Sequence, residues 1–233
     1  MFSISCRAIL FDLDGVLVDS GGAVARVWGR WARENGLDAG PIVAKAHGRR
    51  TIETIREFAP HLEGAEAEKA ERRVEQMEID DTEGMRAVRG AAALLSRLPA
   101  ACWTIVTSGA RPLAEARLRA VGLPLPPRFI SGDLVRQGKP HPEPYLKGAE
   151  LLGAAATECI VVEDAPAGIQ AGKAAGARVI ALTTTYPRPR LSHADWIVGS
   201  LEDLAVEVAC SAVPGLRVST RNSGSGSFNL GES

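Results

Sequence analysis

The sequence has almost no net charge and no long uninterrupted apolar run. Its 27 lysine and arginine residues nearly balance 28 aspartate and glutamate residues, which leaves a formal net charge of −1 and a pI of about 6.4. This balance provides no overall basic field that would gather nucleic acid or an anionic membrane. In addition, no apolar run is long enough to span a bilayer. We therefore expect neither nucleic acid nor a membrane as a partner. Any bound anion must therefore be held by a local site.

Cysteine and aromatic residues are also scarce. Aromatic residues make up 5% of the chain, and the four cysteines (Cys6, Cys102, Cys159 and Cys210) are widely scattered. Three of the cysteines sit in apolar runs, which indicates small core residues in a reducing compartment and argues against a cysteine metal site. Residues 1–7 lack the charged and apolar regions of a secretory signal. We therefore predict a cytoplasmic protein, and a monomer, because no heptad or large apolar stripe demands association.

What the chain does contain is a regular alternation of apolar and helical segments. Its 233 residues suffice for one large domain, or for a core domain that carries a smaller insertion. Short apolar runs without alternation predict strands buried on both faces, at 8–11, 102–106, 159–162, 179–182 and 196–198. Helical patterns lie between them, at 91–98, 113–121, 144–152 and 167–175. This order predicts an α/β fold with a parallel sheet and right-handed crossovers.

One long stretch interrupts this alternation. Between the first two predicted strands there is no convincing strand, but there are amphipathic helical patterns such as 24–34 and 65–78, which predicts an inserted all-helical cap. The alternating charges of 63–83 predict a solvated helix face without a catalytic role. A polar segment rich in glycine and serine at the end of the chain predicts disorder. The predicted organisation is thus a core of residues 1–19 and 85–210, a cap of residues 20–84 and a disordered tail of residues 217–233.

Two aspartates directly follow the first predicted strand, in the sequence Asp12-Leu13-Asp14-Gly15. Open parallel sheets place their ligand sites at the carboxyl ends of their strands. Two carboxylates this close repel each other unless a divalent cation and a proton share out their charge. The pattern predicts that Asp12 attacks phosphorus to form an aspartyl phosphate, while Asp14 protonates the leaving alkoxide and then activates water. The alternative is a surface Asp-Gly turn.

Two further segments carry groups that suit a phosphate. The strand predicted at 102–106 runs into Thr107, Ser108 and Gly109, whose hydroxyl and free backbone N–H groups can hold phosphoryl oxygens. Lys139 precedes a helical pattern and offers one point charge suited to a phosphate, with a surface lysine as the alternative. Each of these features is common in proteins, so it indicates a phosphate site only in combination with Asp12 and Asp14.

A second acidic pair follows the strand predicted at 159–162. Glu163 and Asp164 are candidates to complete an oxygen-ligand magnesium site with Asp12. The alternative is the N-cap of a helix, because Pro166 follows closely.

Taken in order, four motifs carry a resemblance to a known family. The segments FDLDGVLVDS, VTSG, GKPHPEPY and VEDAPAGI are together similar to the haloacid dehalogenase superfamily, over roughly residues 7–204. The resemblance implies a Rossmann-like core with a helical cap inserted after the first strand. It also implies Mg²⁺ bound by Asp12, the backbone carbonyl of Asp14, and Asp164, with Glu163 as a further ligand.

The resemblance also helps to separate the reactions of this superfamily. Asp14 favours phosphoryl transfer, because dehalogenases lack a second aspartate there. Enzymes similar to β-phosphoglucomutase share the cap type and all four motifs, but they carry a histidine five residues after the aspartate that matches Asp19. This chain has Val24 at that position, which favours hydrolysis. A phosphotransferase of the mutase type is the alternative, and a non-catalytic binding protein on a decayed phosphatase fold is a further one.

Substrate choice is expected to lie in the cap. Residues 47–54, HGRRTIET, are similar to the cap loop of the sugar-phosphate and glycerol-phosphate phosphatase branch. Arg49 or Arg50 is expected to contact substrate hydroxyls or phosphate, with Glu53 orienting one of them through an ion pair. The alternative is an exposed helix N-terminus capped by Thr51. Because a closed cap favours small metabolites, we predict a magnesium-dependent phosphatase of small sugar or polyol phosphates.

Overall fold

The computed structural model describes residues 3–209 and 215–220. The α-helices within these ranges are α1 (Gly21–Glu34), α2 (Ala39–Ala46), α3 (Thr51–Phe58), α4 (Gly64–Asp80), α5 (Ala91–Leu95), α6 (Arg111–Ala120), α7 (Glu143–Leu151) and α8 (Pro166–Ala174). The strands are β1 (Ser3–Cys6), β2 (Ala8–Phe11), β3 (Val18–Asp19), β4 (Arg86–Ala87), β5 (Trp103–Ile105), β6 (Cys159–Glu163), β7 (Arg178–Leu182), β8 (Trp196–Val198), β9 (Leu204–Ala209) and β10 (Gly215–Thr220).

The central sheet contains five parallel strands in the order β5-β2-β6-β7-β8. Alternate side chains of β2 enter two different apolar clusters, Ile9 and Phe11 on the face covered by α5 and α6, and Ala8 and Leu10 on the face covered by α7 and α8. Burial on both faces explains why these strands are apolar without alternation. The predicted α/β fold with a parallel sheet is confirmed.

A second, antiparallel sheet has the strand order β1-β10-β9. Its strand β10 contradicts the predicted start of the disordered tail at residue 217. Leu216 and Val218 are both 1% exposed and pack against the same cluster as Ile9. The alternation of these two apolar side chains with polar ones is the pattern of a half-buried strand, which the polar composition of the segment concealed. The remaining residues of the predicted tail, 221–233, lie outside the described residues.

Helices α1 to α4 lie between β3 and β4. These two short strands pair antiparallel, with Val18 opposite Ala87, so the chain leaves the core and returns to it at one place. The four helices share a separate apolar cluster, whose fully buried members include Trp31, Ile42, Ile55 and Val74. No helix in the described ranges is long and apolar enough to cross a membrane. The division of the chain at residues 20 and 84 stays a prediction that this arrangement supports.

Candidate active site

Three neighbouring strands of the central sheet lead into polar side chains. Asp12 directly follows β2, Thr107 lies two residues after β5, and Glu163 ends β6. Because β5, β2 and β6 are adjacent and parallel, their carboxyl ends meet at one edge of the sheet. All three side chains are buried, with exposures of 3%, 3% and 1%. The surface-turn alternative for Asp12 is therefore wrong.

Lys139 joins two of these carboxylates. Its Nζ lies 2.6 Å from Asp12 Oδ1 and 2.7 Å from Glu163 Oε1, and its side chain is buried. Burial alone would lower the pKa of Lys139, but the two carboxylates outweigh it and raise the pKa above its usual value. Burial raises the pKa of Asp12, and the charge of Lys139 opposes that shift. Lys139 is thus a buried cation beside Asp12, and the surface-lysine alternative is wrong.

Both carboxylate oxygens of Glu163 are occupied. Oε1 accepts hydrogen bonds from Lys139 and from the Tyr145 hydroxyl, each at 2.7 Å. Oε2 accepts from the backbone N–H groups of Asp164 and Ala165, at 3.0 and 3.1 Å. The N-cap residue of α8 is Ala165, without a side-chain cap, so the N-cap alternative for this acidic pair is wrong. Glu163 therefore holds Lys139 through an ion pair. Tyr145, to which the sequence assigned no role, holds Glu163 through a hydrogen bond.

Asp164 lies in a contrasting environment. It is fully buried, and neither of its carboxylate oxygens accepts a well-formed hydrogen bond from the described residues. His47 Nε2 lies 3.3 Å from Asp164 Oδ2, an ion pair when the imidazole is protonated. Burial would lower the pKa of His47, but the adjacent carboxylate of Asp164 outweighs it and raises the pKa to about 9. A buried carboxylate without hydrogen-bond donors is stabilised by positive charge.

The carboxylates at this edge can hold a divalent cation. Asp12, Glu163 and Asp164 each offer an oxygen atom, and these atoms lie within 4.8 Å of one another. Hard divalent cations bind carboxylate oxygens, and the two Asp164 oxygens, which accept no well-formed hydrogen bond from the described residues, fit that chemistry. Glu163 fits it less well, because its oxygens already accept hydrogen bonds from the protein.

Asp14 is held from two sides. Ser20, the N-cap residue of α1, donates to Asp14 Oδ1 at 2.6 Å, and Arg117 of α6 donates from Nη1 to Asp14 Oδ2 at 2.6 Å. Arg117 also donates from Nη2 to Glu78 Oε1 of α4 at 3.1 Å. Most charged residues of the segment 63–83 are exposed, as predicted for a solvated face, but Glu78 is only 5% exposed and is an exception. The prediction failed there because Arg117, distant in sequence, supplies the cation that permits this burial.

The segment after β5 is partly engaged in its own hydrogen bonds. Thr107 Oγ1 accepts from the backbone N–H of Gly109 at 3.1 Å, and the backbone N–H of Thr107 donates to Ile130 at 2.9 Å. The expectation that the backbone N–H groups here are free is therefore wrong for Thr107 and Gly109. Ser108 Oγ donates to the carbonyl of Gly48 in the cap at 3.0 Å. The Thr107 hydroxyl still has its own proton to donate to a ligand.

The predicted substrate-binding residues of the cap lie in different places. Arg49 lines the cavity between cap and core and forms an ion pair with Glu57. Arg50 pairs with Glu53 at 3.7 Å, as the sequence predicted for one of the two arginines. Arg50 Nη1 also donates to the carbonyl of Arg136 in the core at 3.3 Å. Arg50 and Glu53 thus contact the core loop before Lys139, while Arg49 lies at the cavity.

A small cavity of about 30 Å³ lies between the cap and the strand ends. A water molecule needs about 10–15 Å³ of such space, so this cavity has room for about two or three waters and is too small for a phosphate ester. A phosphate ester can therefore occupy this cavity only if the residues that line it move apart. The side chains and backbone that line the cavity belong to Asp12, Asp14, Val24, Trp28, Ala46, His47, Gly48, Arg49, Thr51, Glu78, Thr107, Ser108, Gly109, Leu113 and Arg117.

Comparison with known proteins decides the family. Residues 6–176 match the haloacid dehalogenase-like hydrolases. The chain belongs to this family. It is 47% identical over 203 residues to hexitol phosphatase A of Escherichia coli strain K12, covering 86% of this chain and 94% of that protein. It is 37% identical over 217 residues to glycerol-1-phosphate phosphohydrolase 2 of Saccharomyces cerevisiae, covering 88% and 86%.

Solved structures agree on the fold of this haloacid dehalogenase-like hydrolase. The β-phosphoglucomutase of Clostridium difficile matches it with a TM-score of 0.72 at 21% identity, covering 84% of this chain and 92% of that one. The predicted family and the predicted Rossmann-like α/β fold are confirmed. The prediction that the chain is an enzyme, a phosphatase of this family, is also confirmed by its relatives.

Gly15 lets the first loop of this hydrolase approach Asp164. Its φ is +77°, and a Cβ at this position would stand 1.9 Å from Asp164 Oδ2. We expect Gly15→Ala to displace Asp164 and to lower phosphatase activity by about 100-fold, the loss that follows a misplacement of about 1 Å in an active site. Steady-state kinetics and the melting temperature of the purified variant would measure both effects.

Gly36 provides the matched control for Gly15. Its φ is +67°, but no atom lies within 4 Å of a Cβ built there. Gly36→Ala should therefore cost only about 1–2 kcal/mol of stability for the left-handed backbone and should keep full activity. If both variants kept full activity, the close approach of Gly15 to Asp164 would have no catalytic importance.

Proposed function

We propose that this enzyme hydrolyses phosphate monoesters of small sugars or polyols, in a Mg²⁺-dependent reaction with an aspartyl-phosphate intermediate on Asp12. The observation that carries this proposal is the buried contact of 2.6 Å between Lys139 Nζ and Asp12 Oδ1 at the end of β2. Lys139 occupies one oxygen of the carboxylate and leaves the other for attack on phosphorus. Asp14 and Thr107 line the same cavity as Asp12.

The reaction has two steps. First, an Asp12 carboxylate oxygen forms a bond to phosphorus while the bond from phosphorus to the ester oxygen breaks, and Asp14 gives that oxygen a proton. Then Asp14 takes a proton from water as the water oxygen attacks phosphorus, which releases inorganic phosphate and restores the Asp12 carboxylate. Lys139 and the Thr107 hydroxyl stabilise the negative charge of the transferred group.

The proposed ligands of Mg²⁺ are Asp12, Asp164 and the backbone carbonyl of Asp14. When bound, the ion would supply positive charge that stabilises the negatively charged phosphoryl group. The buried oxygens of Asp164, which accept no well-formed hydrogen bond from the described residues, support this choice. We assign Glu163 to Lys139 instead of the ion, because the four hydrogen bonds that it accepts come from the protein itself.

Two observations support the proposed substrate class and the transfer to water. The relatives described above are named for hexitol and glycerol-1-phosphate phosphatase activity. Val24 lines the cavity at the position where mutase-like enzymes carry a histidine, and its side chain can neither donate nor accept a proton. We assign Arg49 to the substrate, because it lines the same cavity. We assign Arg50 and Glu53 to the contact between cap and core.

The proposal can be tested by measuring phosphate release. A panel of hexitol, glycerol, aldose and nucleotide phosphates should give the highest kcat/KM for polyol or sugar phosphates. Reactions in ¹⁸O-labelled water should place one labelled oxygen in the released phosphate. A sugar bisphosphate among the products would instead support the mutase, and no turnover on any monoester would support a binding protein.

Removal of divalent cations is expected to abolish turnover. With excess EDTA, phosphate release should fall by about 100-fold or more, because a Lewis acid at a transferring phosphoryl group contributes several kcal/mol. Added Mg²⁺ should restore activity and raise the melting temperature of the wild-type protein. Asp164→Asn should lose that rise, whereas Asp19→Asn, which changes an exposed carboxylate, should keep it. Full activity in EDTA would contradict the proposed dependence on a metal.

A further inference from the structure

Arg117 lies buried between core and cap, and its Nε–H has no hydrogen-bond acceptor among the described residues. Its side chain is 4% exposed, with Nη1 bound to Asp14 and Nη2 bound to Glu78. Buried N–H groups almost always have an acceptor. The guanidinium therefore has a place for one more acceptor, which the described protein does not supply.

Glu78 provides a matching acceptor. Its side chain is 6% exposed, and within the described residues it accepts one hydrogen bond, from Arg117. A carboxylate has about four acceptor sites, so most of its capacity is unused. Glu78 and Arg117 line the cavity together with Trp28 and Asp14. The residues that line the cavity thus include Arg117, with its buried Nε–H donor, and Glu78, with its buried carboxylate acceptor, next to the residue assigned to the leaving group.

We propose that Arg117 and Glu78 form a subsite for a substrate hydroxyl group on a carbon near the ester oxygen. A hydroxyl both donates and accepts, so it can accept from Arg117 Nε–H and donate to Glu78. Arg117 contacts Asp14 at 2.6 Å, and Asp14 is the residue that protonates the ester oxygen in the proposed reaction. A hydroxyl bound to Arg117 therefore lies near the ester oxygen. This inference rests on the proposed function and deepens it. The enzyme selects phosphate esters with a neighbouring hydroxyl over simple alkyl phosphates.

The test compares two esters that differ only in their hydroxyl groups. Glycerol 1-phosphate and n-propyl phosphate have the same three carbons, and we expect the wild type to favour glycerol 1-phosphate by at least about 100-fold in kcat/KM. A site with buried polar groups rejects an analogue that leaves them unpaired. In Glu78→Gln, which keeps the size of the side chain but loses its charge, this preference should fall by about 10-fold. Glu68→Gln, on an exposed position of α4, should leave the preference unchanged.

Two further measurements keep the inference testable if Glu78→Gln folds poorly. The wild type should hydrolyse 2-hydroxypropyl phosphate faster than 3-hydroxypropyl phosphate, because only the first has its hydroxyl on the neighbouring carbon. Arg117→Lys keeps the charge but lacks Nε–H, so it should also lose the preference for glycerol 1-phosphate.

Several outcomes would overturn the inference. One is a wild type that hydrolyses propyl and glycerol phosphates equally well, and another is a pair of variants that lose activity on both esters in the same proportion. Both leave the proposed function intact, because the wild type still releases phosphate. A wild type without activity on any phosphate monoester would instead remove the proposed function and this inference together.

Discussion

Asp12→Asn is expected to lower phosphate release by on the order of 10⁵-fold or more, a loss comparable to that seen when another hydrolase loses its covalent nucleophile. The amide has nearly the shape of the carboxylate, so the variant should still fold. It cannot form the acyl phosphate, however, because the amide group is not a nucleophile under these conditions. It also has no charge to pair with Lys139, which lies 2.6 Å from Asp12 Oδ1.

The control for Asp12→Asn is Asp19→Asn, which makes the same change at an exposed position. Asp19→Asn should keep near wild-type kcat. Acid quenching of the wild type during turnover of a ³²P-labelled ester should leave the label on the peptide that contains Asp12, and the Asp12→Asn protein should carry no label. Near wild-type turnover by Asp12→Asn, or a label on another peptide, would show that Asp12 is not the nucleophile.

The sheet and its polar edge could be predicted from the sequence for a local reason. Each central strand is a short apolar run that ends abruptly at a polar residue, as β2 does at Asp12. In a parallel sheet these ends share one edge, so strand position alone brings Asp12, Thr107 and Asp164 close together. No knowledge of side-chain packing is needed for that inference.

The supporting residues could not be predicted, because their partners are remote in sequence. Arg117 lies 103 residues from Asp14, and Tyr145 lies 18 residues from Glu163. One local signal existed for Arg117, which stands four residues after Leu113 on the buried face of α6. An arginine on an apolar helix face indicates a buried acidic partner, but it does not reveal which one. The charged pattern of α4 concealed Glu78 for the same reason.

The cap loop shows a similar limit. Thr51, predicted to cap this helix, is its first residue and is buried, while Arg50 occupies the N-cap position without a side-chain cap. Two adjacent residues at the beginning of a helix point in different directions. Which arginine lies at the cavity therefore depends on how α3 packs against the core. The sequence therefore predicted an ion pair to Glu53 but could not assign it to Arg50.

Lys139→Met is expected to destabilise the protein by about 3–5 kcal/mol and to abolish turnover. The variant leaves Asp12 and Glu163 buried without their cation, and breaking a buried ion pair by removing one partner has a cost of this size. The two carboxylates raise the pKa of wild-type Lys139, so Lys139 stays protonated at every pH below the usual lysine value of about 10.4, and its charge is lost only above that pH. Urea unfolding at neutral pH, with EDTA present so that no metal ion replaces the lost charge, would measure the difference.

The pH dependence of the variant follows from Asp12. Burial already raises the pKa of Asp12, and the charge of Lys139 opposes that shift, so Lys139→Met should raise this pKa further. The folded variant then binds a proton more tightly than the unfolded chain, and its stability falls as the pH rises. The stability difference between wild type and Lys139→Met should therefore be largest at neutral pH and should shrink towards pH 5. Lys69→Met, which removes an exposed lysine of α4, should show neither effect. A deficit that is independent of pH would mean that Lys139 contributes through packing and not through its charge.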